Sequence, residues 1–208
     1  MNALQLTFLG GGEPRVNEDA PIERITLDRE SWLLIARDWL LGADTLLHDL
    51  IESVDWKQGR RHMYERVVDD PRLSCHYARD DALPHPALAD MGARLDALLG
   101  VDLHGPGCNY YRDGRDSVAW HADRELRDLE DTRIAIVTLG ARRPFLIRGF
   151  DKRQKSRNLA PGSGDLIVMG GAAQMHWQHA VPKTKHSGPR ISCTWRAALE
   201  FSRRVASS

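Results

Sequence analysis

GDLIVMGGAAQMHWQHAVP, residues 164–182, is the stretch whose reading decides the fold. Leu166 to Met169 is an apolar run too short for an ordinary helix, and Gly164 and Gly170 bound it, so it reads as a buried strand. His179 stands at the end of a second strand, just before Val181 and Pro182. Moving outward, the same pattern recurs. Ile134 to Leu139, Pro144 to Arg148 and Arg190 to Trp195 are short runs set between Gly, Pro and charged turns. Short strands at this spacing predict a β-rich α+β fold, a sandwich or jelly roll.

Further upstream the pattern is helical. Leu88, Met91, Leu95, Leu98 and Leu99 share one side of a helix over 88–99, and Gly100 stops it. Residues 54–86 are polar and aromatic and read as strands and loops. Over 28–52, Trp32, Ile35, Ala36, Trp39 and Leu40 fall at helical spacing behind a cap at Asp28 or Ser31. After Gly42 the period resumes with Leu46, Leu47, Leu50 and Ile51, so two amphipathic helices are expected here. Gln5 to Leu9 reads as strand-like, ended by Gly10. The expected organisation is one domain of 208 residues. Residues 1–87 form an N-terminal extension with helices and a substrate lid, and residues 88–208 a helix plus a catalytic core.

Composition narrows the class. Hydrophobic residues make up 42% and charged residues 28%, ordinary for a soluble globular protein. The formal net charge is zero, which counts against a purely electrostatic nucleic-acid binder but leaves room for a local basic patch. Cys75, Cys108 and Cys193 are odd in number and form no CxxC pair, which excludes a disulfide framework or zinc ribbon and suits a reducing compartment. Met1 to Gly12 lacks a basic region followed by an apolar core, and no apolar run approaches the ~20 residues of a membrane span. The expectation is a cytoplasmic protein with no membrane partner.

The chemistry begins at Trp120-His121-Ala122-Asp123. On a strand, residues i and i+2 share a face, so His121 and Asp123 can offer an imidazole nitrogen and a carboxylate oxygen to one ion. Alone, HxD is a weak signal. Downstream, Arg190 and Arg196 are six apart and so lie on one strand face. Two guanidinium groups on one face suit a dicarboxylate, and they are expensive to bury without an anion. Two His plus one carboxylate is the donor set of iron(II) oxygenases. The third ligand is a downstream histidine, and spacing leaves His176 and His179 both open.

Asn109-Tyr110-Tyr111, Trp120-His121-Ala122-Asp123-Arg124-Glu125, His176-Trp177-Gln178-His179-Ala180-Val181-Pro182, Gly188-Pro189-Arg190 and Arg196 occur in an order that resembles the AlkB family, over residues ~55–200. It is most similar to bacterial members akin to the animal DNA-repair dioxygenases. The resemblance implies a double-stranded β-helix core with N-terminal helices and a nucleotide-recognition lid. It implies iron(II) held by His121, Asp123 and His179, with His176 left outside the ligand set. It implies that Arg190 binds the C5 carboxylate of 2-oxoglutarate, that Asn109 and Tyr111 hydrogen-bond the co-substrate, and that Arg196 lies near its C1 end. Ser192, where the family more commonly has Asn, and Thr194 complete that face.

The implied reaction is oxidative demethylation of N-alkylated nucleobases of the 1-methyladenine and 3-methylcytosine type, in DNA or in RNA, releasing aldehyde, succinate and CO2. Glu125 matches an acidic residue that contacts the exocyclic amine of the damaged base, and His121 doubles as the lower stacking plane. Tyr77 is the expected upper plane, with His76 and Tyr64 behind it, and Arg72 belongs to the same family-like stretch. The cluster Arg148 to Arg157, with Lys183, Lys185 and His186, offers phosphate contacts. Salt-sensitive binding that favours single strands follows, by a chain expected to be a monomer. The alternative is an oxygenase on the same scaffold acting on protein, lipid or small molecules, because Ala78 to Pro86 is short for an aromatic lid.

Overall fold

In the computed structural model, residues 11–63, 66–78, 80–123, 125–151 and 155–198 are described. The strand expected over Gln5 to Leu9 and the candidate contact Tyr64 lie outside them. In chain order the elements are β1 (Arg15–Val16), β2 (Ile22–Thr26), β3 (Ser31–Ala36), β4 (Leu40–Leu41), α1 (Ala43–Ser53), β5 (Lys57–Met63), β6 (Arg66–His76) and α2 (Pro86–Leu99). Then come β7 (His104–Tyr111), β8 (Val118–His121), β9 (Thr132–Gly140), β10 (Leu146–Gly149), β11 (Arg157–Asn158), β12 (Leu166–Gly171), α3 (Ala173–His176), β13 (Trp177–Val181) and β14 (Arg190–Ala198).

Alternation of side chains along the strands explains how these pack. On β9, Ile134 and Ile136 face one way, into a core with Phe145, Ile147, Ile167 and Trp177. Ala135, Val137 and Leu139 face the other way, against Leu46, Leu47 and Leu50 of α1 and Leu88, Met91 and Leu95 of α2. A strand buried on both faces reads as a continuous apolar run, which is why β9 and β12 were legible in the sequence. Each of those six helix side chains is fully buried, and each such burial contributes about 1.5–3 kcal/mol.

The result is a jelly roll of two sheets. The larger has eight strands in the order β2-β3-β12-β9-β14-β7-β6-β5, and the smaller has four in the order β11-β10-β13-β8. Neighbours pair antiparallel throughout. One core lies between the sheets and a second lies under α1 and α2. On β14 the alternation has a different content. Ile191, Cys193, Trp195 and Ala197 join the helix-side core, while Arg190, Ser192, Thr194 and Arg196 face the space between the sheets. There the inter-sheet core gives way to a cavity.

The helix expected over Trp32 to Leu40 is instead strand β3. The run SWLLIA is buried almost throughout and pairs in full register with β12, Leu33 opposite Met169 and Ile35 opposite Ile167. Periodicity alone does not separate a short apolar strand from a helix turn, and here the sheet pairing decides. The second expected helix is α1. Gly42 precedes it at φ 68°, and a Cβ there would meet the Glu13 carbonyl oxygen at 2.6 Å, so only glycine fits. Helix α2 starts on His85, whose side chain accepts from the Ala87 N–H at 3.1 Å, and ends at Gly100 at φ 64°, the expected stop.

Candidate active site

The small sheet carries two of the three expected metal ligands. His121 ends β8 and His179 lies on β13, directly opposite in register, with ring centroids 4.3 Å apart. Asp123 follows two residues after the strand. Ligand atoms of His121, Asp123 and His179 all lie within 4.8 Å of one another. The Nδ1 of His121 sits 2.9 Å from the Ala119 carbonyl oxygen. A carbonyl only accepts, so Nδ1 carries the proton and Nε2, 3.7 Å from Asp123 Oδ1, keeps its lone pair for a metal. Phe145 stacks on His179 with centroids 5.4 Å apart and planes 12° apart, which fixes the ring.

The electrostatics suit a metal donor set. Burial, helped by the neighbouring His121, pushes His179 down to about 3, so its imidazole is neutral. Burial works against ionisation of Asp123. The Arg196 guanidinium, whose Nε donates to Asp123 Oδ2 at 2.6 Å, nevertheless holds the carboxyl below the usual carboxylate range. His176, the rival ligand, lies in α3 with Nδ1 3.8 Å from Asp28 Oδ2 and outside the triad. The offset of three between the two histidines is what separates them.

The triad opens on a cavity of about 770 Å³. Asn109, Tyr111, Ser192, Thr194 and Arg196 line its large-sheet wall, where β7 and β14 pair Asn109 with Ser192 and Tyr111 with Arg190. Arg72, His76 and Glu125 also line it. The Arg72 Nε donates to the Asn109 Oδ1 at 2.7 Å, so the Asn109 NH2 is the group left to donate elsewhere. Val118, Leu126, Ile134, Ile136 and Phe145 supply an apolar lining.

Arg190 itself is fully buried beside Tyr111, its Cζ 5.2 Å from the ring centre. Its Nη2 donates to Thr138 Oγ1 at 3.2 Å, and its Nε and Nη1 have no hydrogen-bond partner among the described residues. A buried guanidinium with two orphaned donors is a site for an anion. Arg143, also buried, donates from both terminal nitrogens to the carbonyl oxygens of Asp113, Asp116 and Pro182, and only its Nε lacks a partner among the described residues. The residues therefore fit both groups. Two imidazoles and a carboxylate match iron(II), and the unsatisfied Arg190 with the polar wall beside it matches a dicarboxylate.

Tyr77, expected as the upper plane, follows the end of β6 at His76. It shares a face with Cys75, two residues earlier, and is not among the residues lining the cavity, whereas the intervening His76 is. Phe145 and Gln174 went unread in the sequence. An isolated aromatic in a short run, or a glutamine in a polar turn, carries no periodic signal of its own.

A jelly roll with a His-Asp-His triad over a buried arginine defines an iron(II)- and 2-oxoglutarate-dependent oxygenase, and residues 107–201 match the 2OG-Fe(II) oxygenase superfamily. The chain is 33% identical to the alpha-ketoglutarate-dependent dioxygenase alkB homolog 3 of Mus musculus, over 92% of this chain and 76% of that protein. It is 32% identical to the DNA oxidative demethylase ALKBH2 of Bos taurus, over 78% of this chain and 67% of that protein. The chain belongs to the AlkB family of these dioxygenases. Its fold is shared more widely. A prolyl hydroxylase of Trichoplax adhaerens, solved with a hypoxia inducible factor peptide, superposes with a TM-score of 0.62 at 13% identity, covering 85% of this chain and 87% of that one. No described helix is long and apolar enough to cross a membrane.

Proposed function

We propose that the chain oxidatively removes N-alkyl groups from nucleobases of the 1-methyladenine and 3-methylcytosine type, in single-stranded DNA or unpaired RNA. The observation that carries this reading is the triad opening on a cavity with Glu125, His76 and Arg72 among its lining, in a chain similar to a DNA oxidative demethylase. Bound iron(II) and 2-oxoglutarate supply the oxidising chemistry, consuming O2 and yielding succinate, CO2 and a hydroxylated alkyl carbon.

His121, Asp123 and His179 hold the metal. Arg190 donates its orphaned N–H groups to the distal carboxylate of the co-substrate. Asn109, its amide oriented by Arg72, and Tyr111 donate to the same molecule, with Ser192 opposite Asn109 and Thr194 further along the same face. Arg196 stays on Asp123 and keeps positive charge at the other end of the co-substrate. The apolar residues Ile134, Ile136 and Val118 exclude water from the reacting carbon. Glu125 accepts from the exocyclic amine of the base. The ring of His76, rather than Tyr77, faces the base from the large-sheet side. The hydroxylated alkyl group then leaves the ring nitrogen as an aldehyde, and the base is restored.

A target base must be unstacked to enter such a cavity, which favours single strands. Lys155, Arg157, Lys183 and Lys185 are exposed for phosphate contacts, and Arg148 lies 4.0 Å over the Trp120 ring at the small-sheet side. The test is incubation with iron(II), ascorbate, 2-oxoglutarate and oligonucleotides carrying 1-methyladenine or 3-methylcytosine. Mass spectrometry should show restored bases with matching succinate. Succinate release without any demethylation of DNA or RNA oligonucleotides would overturn the substrate assignment.

A further inference from the structure

Asp123 sits outside the sheet that carries its fellow ligands. Strand β8 ends at His121, so the Asp123 main-chain N–H has no ladder partner. It donates instead to Gln174 Oε1 at 2.8 Å. Gln174 is 1% exposed and stands in α3, the turn that joins β12 to the strand bearing His179. Its Nε2 lies 3.8 Å from Met169 Sδ. A thioether only accepts, so the amide nitrogen belongs at Met169 and its oxygen at Asp123. On its other side α3 is tied down separately, by the Trp177 Nε1 donating to Asp28 Oδ2 at 2.5 Å.

We propose that Gln174 is a positioning residue for the metal site, clamping the segment that carries Asp123 to the segment that carries His179. The carboxylate is already engaged on one side, since Oδ2 accepts from Arg196. Which way Oδ1 points then depends on how the main chain at 123 is held: its carbonyl oxygen accepts from the Leu126 N–H at 3.0 Å, and Gln174 holds its N–H. Partners of this kind outside the ligand set are worth roughly 10–100-fold in metal affinity. The inference rests on reading His121, Asp123 and His179 as the metal ligands.

The experiment is an anaerobic Co(II) titration with 2-oxoglutarate present, read by visible absorption. It uses the wild type, Gln174→Met and, as a control on α3 packing, Asp28→Asn. Gln174→Met keeps the side-chain volume and removes the acceptor. It should bind Co(II) at least about tenfold more weakly, with a shifted d–d band, while Asp28→Asn stays within about threefold of wild type. Equal weakening in both variants, or a Gln174→Met site like the wild type, overturns the proposal. A wild type that takes up no Co(II) overturns the metal reading as well, and that result is separable from the other two. Amide exchange on the Zn(II)-loaded wild type tests the contact without any variant. The Asp123 N–H should exchange on the order of a hundredfold slower than an open chain, and an unprotected Asp123 overturns the proposal even if Gln174→Met does not fold.

Discussion

Replacing Arg190 with Met should stabilise the empty protein and destroy its affinity for 2-oxoglutarate, two effects of opposite sign from one side chain. Arg190 is fully buried and donates to Thr138. Its Nε and Nη1 have no hydrogen-bond partner among the described residues. Exchanging buried charges for apolar groups of similar size is often neutral or stabilising by ~1–4 kcal/mol. After loss of the Thr138 bond, a gain of ~1–2 kcal/mol is expected, which is ~2–8 °C in Tm for a chain of this length. With co-substrate the balance reverses. Losing two charge-assisted hydrogen bonds at ~1.5–3 kcal/mol each removes ~3–6 kcal/mol, or roughly 10²–10⁴ in affinity. The assay is thermal denaturation with and without 2-oxoglutarate, alongside calorimetric titration of the Mn(II)-loaded protein under nitrogen. At a hundred times Kd the wild type should gain ~2.7 kcal/mol and melt several degrees higher, and Arg190→Met should not respond. A variant that melts well below the wild type when empty, yet binds 2-oxoglutarate within threefold, would refute the assignment of Arg190 as an anion site.

Other perturbations test neighbouring parts of the site. His179→Ala should lower 2-oxoglutarate turnover by at least about a hundredfold, while His176→Ala, which loosens only a contact to Asp28, should stay within about twofold by succinate release. A Cβ at Gly107 would lie 3.3 Å from His76 Nδ1 and 3.5 Å from Arg196 Nη1, both ends of flexible side chains. Gly107→Ala should therefore fold, with a Tm change worth under ~1 kcal/mol, and raise the KM for alkylated oligonucleotide several-fold as those two side chains shift. Asp116 is buried, which works against its ionisation, yet hydrogen bonds from Arg112 at 2.8 and 2.9 Å hold its carboxyl below the usual range. A depressed carboxylate stabilises the fold above the unfolded value near pH ~3.9, and that contribution disappears as pH falls through the folded value. Asp116→Asn should cost ~1–3 kcal/mol at neutral pH and flatten the acid limb of stability against pH, measured by urea denaturation.

What the sequence displayed and what it concealed divide along physical lines. Side-chain parity on strands is a local property. It places Asn109 with Tyr111, and Arg190 with Arg196, on one strand face. Strand β3 reads as a helix because its five apolar residues, Trp32 to Ala36, satisfy two periods at once, and the deciding partner, β12, lies far along the chain. Gln174 was illegible for a related reason. Its function is a side-chain bond to a backbone amide 51 positions earlier, and nothing in residue type or spacing encodes such a pair.

The pairing of β3 with β12 has a consequence for how the molecule comes into being. Strand Ser31–Ala36 pairs with β12, just upstream of the segment bearing His179, and Asp28 bonds to Trp177 at the start of that segment across 149 positions. Contacts of such high sequence separation close late and slowly during folding. A chain still assembling would hold its two histidines on strands not yet opposed, with Asp123 unfastened, and would offer an ion at most the local pair His121 and Asp123. Full metal capture should thus follow the pairing of β8 with β13, so that a loaded site marks a chain whose smaller sheet has closed.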